Sequence, residues 1–118
     1  MIIDINTLLA WGAVYKKVGR NEVIFSEGAE CSYYNQLVTG TVKWVNIDEE
    51  GKEYIQTIIE PGECFGELPL FDDGLYAASA IAEEDVILIR LRKTTFLQLI
   101  KENKRNSFCI HKIISKKS

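Results

Sequence analysis

The spacing of hydrophobic positions changes twice along the chain, and each change predicts a different kind of element. The apolar residues of the first segment recur at helical spacing: Leu8, Leu9, Trp11, Val14 and Tyr15. Asn6 or Thr7 can cap the start of such a helix. We therefore predict an N-terminal helix that ends near Val18 and Gly19.

The middle of the chain alternates short apolar runs with turn residues, which is typical of β-strands. We predict six strands: Glu22–Phe25, Tyr34–Val38, Thr41–Ile47, Glu53–Ile59, Ala77–Ala82 and Asp85–Leu91. The sequence Asp-Glu-Glu-Gly at 48–51 indicates a hairpin loop, and Pro61-Gly62 indicates a turn. The run Val-Ile-Leu-Ile at 86–89 predicts a strand that is buried on both faces.

Helical spacing returns after the last predicted strand. Thr94 can cap a helix whose apolar residues are Phe96, Leu97, Leu99 and Ile100. We expect a break at 103–106 and a second helix over Phe108–Ile114. A helix, then many short strands, then helices predicts a mainly β fold with flanking helices, either a β-sandwich or a jelly roll.

Length and charge limit the function classes. The chain has 118 residues, enough for one domain. It has no apolar run of about 18 residues and no signal-peptide pattern, so we predict a cytoplasmic protein without a membrane partner. The net charge is −3, yet residues 101–118 hold six of the 14 basic residues and one of the 17 acidic ones. The remaining acidic body does not favour nucleic acid.

Cysteine and histidine usage argues against a metal site and against catalysis. Cys31, Cys64 and Cys109 form no Cys-x-x-Cys pair, so neither a disulfide framework nor a zinc knuckle is indicated. His111 is the single histidine, which excludes the multi-histidine metal site of cupin enzymes. Cys109 and His111 are two positions apart and would point in different directions on a helix. We therefore predict that the protein is not an enzyme.

The segment from Phe65 to Ala80 resembles the phosphate-binding cassette of cyclic nucleotide-binding domains. That family has Phe-Gly-Glu-Leu, a short loop, and then Pro-Arg-(Ser/Ala)-Ala-(Thr/Ser). Two earlier blocks, 21–28 and 33–43, resemble the family's opening and its Tyr-x-(Ile/Leu)-x-x-Gly motif, in the family's order. The likeness extends over residues 20 to about 102 and points to an effector domain of the catabolite-activator (Crp/Fnr) type.

The resemblance implies a cyclic nucleotide-binding-type double-stranded β-helix, or jelly roll. It implies one sensor domain over 1–118, with the barrel at about 20–92 and C-terminal helices at about 93–117. Its expected role is to bind a small-molecule effector within a transcriptional regulator and to pass on that signal.

The resemblance also places the ligand site. The residues expected to line it are Phe65, Gly66, Glu67, Leu68, Tyr76, Ala77 and Ala78. A short helix after this glycine would turn its free amides toward a cyclic phosphate, because helix starts favour anions. Glu67 would accept a hydrogen bond from a ribose hydroxyl. The alternative for its carboxylate is to bond loop amides or to pair with a basic group.

The cassette departs from the family where the phosphate is held. Tyr76 occupies the arginine position, and a neutral phenol cannot supply a bidentate, charge-assisted contact. Ala77 also removes a hydroxyl, and we expect Arg90 and Arg92 to point outward. Cyclic AMP or cyclic GMP is therefore expected to bind weakly or not at all, and no other cofactor is predicted. The pocket would take a less anionic ligand or be filled by Tyr76 itself.

The C-terminal segment carries a possible dimer contact. An apolar stripe made of Phe108, Ile110, Ile113 and Ile114 could begin the family's dimerisation helix. The alternative is that this stripe packs on the chain's own barrel. No helix-turn-helix DNA-binding segment follows in the 118 residues, which fits either a stand-alone sensor or part of a longer regulator. A second hypothesis is an interaction module that kept the barrel and lost its ligand.

Overall fold

A computed structural model describes residues 2–105 and 114–115. In chain order the elements are β1 (Ile2–Ile3), α1 (Ile5–Ala10), β2 (Val14–Val18), β3 (Val23–Phe25), β4 (Tyr33–Thr39), β5 (Val42–Ile47), β6 (Glu53–Ile59), β7 (Cys64–Phe65), α2 (Leu68–Asp72), β8 (Ser79–Ala82), β9 (Val86–Arg92), α3 (Lys93–Arg105) and β10 (Ile114–Ser115).

Two four-stranded antiparallel sheets form the body of the molecule. One has the strand order β2-β9-β4-β7 and the other β3-β8-β5-β6. Strands distant in sequence are neighbours in both sheets, as in a jelly roll. The predicted mainly β class with helices at both ends is therefore confirmed. No described helix has the length and apolar character needed to cross a bilayer.

The core has two parts. Between the sheets lie apolar side chains from both of them: Val18, Leu37, Val42, Ile59, Phe65, Ala80, Ala82, Val86 and Leu88. The second part joins the helices to the first sheet and includes Leu8 of α1, Leu70 of α2 and Phe96 of α3. Phe25 and Trp44 pack against both parts. The cassette therefore lies where the sandwich core meets the helix layer.

Strand β9 packs against both parts of the core, which explains why its sequence is almost continuously apolar. Val86 and Leu88 belong to the core between the sheets, whereas Ile89 and Leu91 belong to the helix-side core. Successive side chains of a strand point to opposite faces, so a strand packed on both sides needs apolar residues throughout. The prediction of burial on both faces is confirmed.

The six predicted strands are confirmed to within two residues at each end. The predicted helix from Leu8 to Gly19 is wrong in its second half. Helix α1 ends at Ala10, and Val14–Val18 is strand β2, which pairs with β9. The cap is also different, because Asp4 accepts a hydrogen bond from the Thr7 amide at 3.2 Å.

The buried Gln36 holds the N-terminal strand in place. Its Oε1 accepts from the Ile3 amide at 3.1 Å, and its Nε2 donates to the Ile3 carbonyl at 3.0 Å. The Tyr34 hydroxyl donates to the same Oε1 at 2.6 Å. A buried side-chain amide needs such partners, because an unpaired polar group is costly inside a protein.

The predicted C-terminal helices are described in part. Helix α3 runs from Lys93, one residue before the expected Thr94 cap, to Arg105. The predicted break at 103–106 is therefore wrong for 103–105, which continue the helix, and residue 106 lies outside the described residues. Of the second predicted helix, Phe108, Ile110 and Ile113 lie outside the described residues. Ile114 was predicted to be helical, but it lies in β10 opposite Ile3.

Candidate ligand-binding site

The cassette begins on a strand, turns at a glycine and continues into a short helix. Strand β7 pairs with β4, which fixes Phe65 opposite Asn35. Gly66 has a φ of +68°, and α2 follows at Leu68. Asp73 ends α2 in the left-handed conformation with a φ of +56°. This path carries the chain over one end of the sandwich.

A cavity of about 330 Å³ lies beneath this segment. Its lining comprises Trp44, Thr57, Ile59, Cys64, Phe65, Gly66, Glu67, Leu68, Pro69, Asp72, Leu75, Tyr76 and Ala77. Six of the seven residues expected at the ligand site are in this set. Ala78 is not, and it is buried at 1% exposure. A volume of this size lies near the lower end of the range for small-molecule pockets, about 300–1,000 Å³.

Tyr76 forms part of the cavity wall and does not fill the space. Its ring stacks on Phe25 with 3.7 Å between centroids and 6° between planes. Its backbone accepts from the Gly28 amide at 2.8 Å and donates to the Ala29 carbonyl at 3.0 Å. Burial raises the pKa of the Tyr76 hydroxyl well above its usual range, and the neighbouring Cys31 thiol adds to the rise. The expected alternative, a pocket filled by this ring, does not fit the cavity that remains.

Gly66 is required by the close packing of these rings. A Cβ at this position would lie 2.6 Å from the tip of the Phe25 ring and 2.9 Å from the Tyr76 ring. Its positive φ adds a backbone reason for glycine. The aromatic group extends further, because Phe25 also meets Trp44 edge-on at 5.6 Å and stacks with Phe65 at 5.9 Å. The wall on this side is therefore rigid and aromatic.

The start of α2 is poorly suited to an anion. A helix start normally offers several free amides, which point at a bound anion. Here Pro69, the second residue of α2, has no N–H, and the Leu70 amide already donates to the Glu67 carbonyl at 3.0 Å. At most the amide of Leu68 remains in the first three positions.

The charge of the lining is negative. Among the described residues it contains the carboxylates of Glu67 and Asp72 and neither lysine nor arginine. Lys93, the first residue of α3, pairs with Asp73 at 2.8 Å. Both carboxylates contribute a negative potential to this lining.

The two arginines of β9 do not supply the missing charge. Arg92 is exposed, as predicted. Arg90 was also expected to point outward, but it is half-buried, with its guanidinium carbon 4.2 Å from the centroid of the Tyr33 ring. Its Nε is buried and has no hydrogen-bond partner within the part of the chain that the structure describes. Arg90 is absent from the cavity lining, so its favourable contact with an aromatic ring serves a different part of the molecule.

Glu67 is half-buried at the junction between β7 and α2. Its side chain does not cap α2. Among the described residues its carboxylate makes no hydrogen bond or ion pair, so neither alternative expected for it, loop amides or a basic partner, is found. Burial raises the pKa of the nearby Cys64 thiol, and the negative charge of Glu67 raises it further. The carboxylate therefore places a negative potential on the cavity wall.

Exposed apolar side chains stand around the cavity mouth. Leu68 is 69% exposed and Leu75 is 57% exposed, and both line the cavity. Phe71 of α2 is 53% exposed and meets Phe96 of α3 edge-on at 5.8 Å. This apolar rim, made of Leu68, Phe71 and Leu75, connects the cavity to helix α3.

Sequence reasoning missed the part of the lining that comes from the second sheet. Trp44 of β5 and Thr57 and Ile59 of β6 face the cavity. Their strands were predicted, but the sequence does not show how the two sheets pack on each other, and it is this packing that brings β5 and β6 opposite the cassette. Within the described residues, no group of three His, Cys, Asp or Glu side chains is arranged to hold a metal ion.

Comparison with known proteins agrees with this geometry. The sequence pattern described as the cyclic nucleotide-binding domain matches residues 15–103. The chain is 35% identical over 78 residues to the cyclic AMP receptor protein of Thermus thermophilus, covering 66% of this chain and 36% of that protein. It is 35% identical over 92 residues to the cAMP-activated global transcriptional regulator CRP of Pasteurella multocida, covering 76% of this chain and 43% of that protein.

Solved structures show the same architecture. The catabolite activator protein of Thermus thermophilus superposes with a TM-score of 0.74 at 28% identity, over 83% of this chain and 46% of that one. The chain thus spans less than half the length of these relatives.

Proposed function

The chain belongs to the cyclic nucleotide-binding domain family, and from this premise we propose that it is a regulatory sensor domain whose effector is not a cyclic nucleotide. The observation that carries this proposal is a cavity beneath the cassette whose lining, among the described residues, has two carboxylates and no cation. The family membership supports a small-molecule effector. The charge of the lining argues against a cyclic phosphate.

The expected loss of affinity follows from the contacts that are absent. Removing one partner of a buried charge pair typically costs about 2–5 kcal/mol, much of it from leaving the other charge unpaired. At about 1.4 kcal/mol per tenfold change, affinity for a cyclic phosphate falls by one to several powers of ten. The Tyr76 hydroxyl cannot compensate, because it lies beside Cys31. Pro69 removes one further donor.

The signal would pass from the cassette to the C-terminal helix. Phe71 contacts Phe96, and Lys93 pairs with Asp73, so α2 and the start of α3 are joined by one aromatic contact and one ion pair. A ligand that draws α2 toward the cavity would shift α3 between two positions. We propose that this shift controls a homodimer or partner contact in a transcriptional regulator of the catabolite-activator type. In this role the domain is not catalytic, and its setting is the cytoplasm.

Calorimetric titration with cyclic AMP and cyclic GMP tests the proposal. We expect no heat of binding at ligand concentrations that saturate the Thermus thermophilus cyclic AMP receptor protein, which serves as the positive control. A dissociation constant in the micromolar range or tighter for either nucleotide overturns the proposal.

The exposed apolar rim favours a second function, an interaction module on the same barrel. Leu68, Phe71 and Leu75 are each more than half exposed, and exposed apolar clusters often mark protein contacts. A sensor gains thermal stability from its effector by mass action, whereas an interaction module does not. A metabolite panel that leaves Tm unchanged, together with self-association that survives dilution, would favour this second function.

A further inference from the structure

The charged and aromatic side chains that line the cavity indicate which class of effector it binds. The inference drawn from them rests on the proposed function. We propose that the cavity binds a small organic cation, a protonated or quaternary amine carried on an apolar body. The lining combines aromatic rings with carboxylates, which is the combination that recognises such cations. No basic side chain in the described part of the lining competes for the carboxylates.

Glu67 supplies the first part of the argument. It is half-buried, and within the described residues its carboxylate has no ion pair or hydrogen bond. Neither of its oxygens is among the described buried atoms that lack a partner, so the carboxylate is accessible to solvent. A cation that enters the cavity can therefore gain a charge-assisted contact with it. The same charge already contributes to raising the pKa of Cys64 across the cavity wall. The negative potential is therefore felt inside the cavity and not only at the surface.

Asp72 adds a second carboxylate to the cavity lining. Its Oδ1 accepts a hydrogen bond from the Gly74 amide at 2.8 Å, which fixes the carboxylate in position. Asp72 lines the cavity together with Glu67. Glu67 directly precedes α2, and Asp72 is its last residue. A cation between them would meet two carboxylates, whereas an anion would be repelled by both.

The aromatic residues supply the body of the site. Trp44, Phe65 and Tyr76 line the cavity, and the stack between Tyr76 and Phe25 holds one of these rings rigid. An ammonium group is attracted to the face of such rings, and Trp is the strongest of them. An apolar ligand body also removes the rings from water on binding. A preformed wall loses little conformational freedom when the ligand enters.

A matched series of three indole compounds tests the inference. Tryptamine carries a cation, tryptophol is neutral and indole-3-propionate is an anion, while the ring is the same in all three. In calorimetric titrations of the full chain we expect tryptamine to bind about tenfold tighter than tryptophol, since a hydrogen bond to a charged group is worth roughly one power of ten or more. Indole-3-propionate should not bind. Added salt should weaken tryptamine binding.

Substitution of the carboxylates adds a second readout. Glu67→Gln should reduce tryptamine affinity about tenfold and leave tryptophol binding unchanged. Glu49→Gln, the same chemical change in the exposed 48–51 hairpin loop, is the control and should alter neither. Urea denaturation of each variant establishes that it is folded. Asp72→Asn repeats the test on an exposed residue whose replacement leaves the core intact.

The outcomes distinguish failure of the organic-cation inference from failure of the proposed sensor function. Equal binding of tryptamine and tryptophol, no tryptamine binding at millimolar concentration, or tryptamine affinity that is insensitive to both carboxylate variants would each overturn the inference. Tryptophol binding without cyclic nucleotide binding would leave the proposed function standing. Micromolar binding of cyclic AMP would overturn the proposed function itself.

Discussion

Replacement of Gly66 by alanine is the most direct test of the packing around the cavity. The new methyl group would lie 2.6 Å from Phe25 and 2.9 Å from Tyr76, two rings that are already stacked 3.7 Å apart. Neither ring can withdraw easily, because Phe25 also contacts Trp44 and Phe65. Overpacking of a well-filled core typically costs about 1–3 kcal/mol.

The backbone adds a second cost. Gly66 has a φ of +68°, and a residue with a side chain in the left-handed region loses about 1–2 kcal/mol. The sum predicts that Gly66→Ala lowers the free energy of unfolding by about 2–5 kcal/mol. Domains of this kind are typically stable by about 5–15 kcal/mol, so the variant should remain folded with a clearly lower urea midpoint.

Gly62→Ala is the matched control for the backbone term. Gly62 has a φ of +91°, and a Cβ there meets nothing within 4 Å. Gly62→Ala should lose only the backbone part of the stability. The difference in free energy of unfolding between the two variants therefore measures the clash with the rings. Adding Phe25→Leu to Gly66→Ala should recover part of the loss in a double-mutant cycle. The packing argument is refuted when Gly66→Ala is no more destabilising than Gly62→Ala.

Two further predictions concern buried and exposed hydrogen bonds. Ser79→Ala removes the acceptor of the Glu27 amide, 2.8 Å away, and should lower the free energy of unfolding by about 1–3 kcal/mol; an unchanged urea midpoint contradicts this. The backbone amides of Lys52, chiefly, and of Glu50 donate hydrogen bonds to the Asp48 carboxylate and hold its pKa below the usual range. Its stabilisation is present above about pH 4 and lost as pH falls through the lower folded-state pKa. The Tm deficit of Asp48→Ala should therefore shrink in acid, and a pH-independent deficit would exclude this linkage.

The sequence predicted the sheets better than it predicted where the first helix stops. Helix α1 ends because Gly12 adopts a φ of +99°, with the Gly12 amide bonded to the Leu9 carbonyl and the Ala13 amide to the Leu8 carbonyl. This is the usual glycine-based helix ending. Gly12 was visible in the sequence, but the helical spacing of Val14 and Tyr15 concealed it. Both of those residues are exposed on an edge strand.

The candidate site was predictable in place and only partly in shape. The motif at Phe65–Leu68 located the cassette, because it resembles the Phe-Gly-Glu-Leu motif of cyclic nucleotide-binding domains. The direction of the Tyr76 ring was not predictable, since it depends on Phe25 and Cys31, which are distant in sequence. The half-buried Arg90 has the same explanation, because its contact with Tyr33 exists only after β4 and β9 pair.

The side-chain amide of Gln36 determines how much of the N-terminal segment is needed around the cavity. By donating and accepting at Ile3, it imitates one peptide unit of a neighbouring strand. Only an amide of that reach satisfies both atoms, so a glutamate there would leave a carbonyl facing a carboxylate. Gln36 also lies on β4 opposite Cys64 of the cassette strand. Trimming the first four residues would therefore leave Nε2 without its acceptor and Oε1 with the Tyr34 hydroxyl alone, one strand away from the cavity. Protein made for ligand screening should therefore keep Ile3.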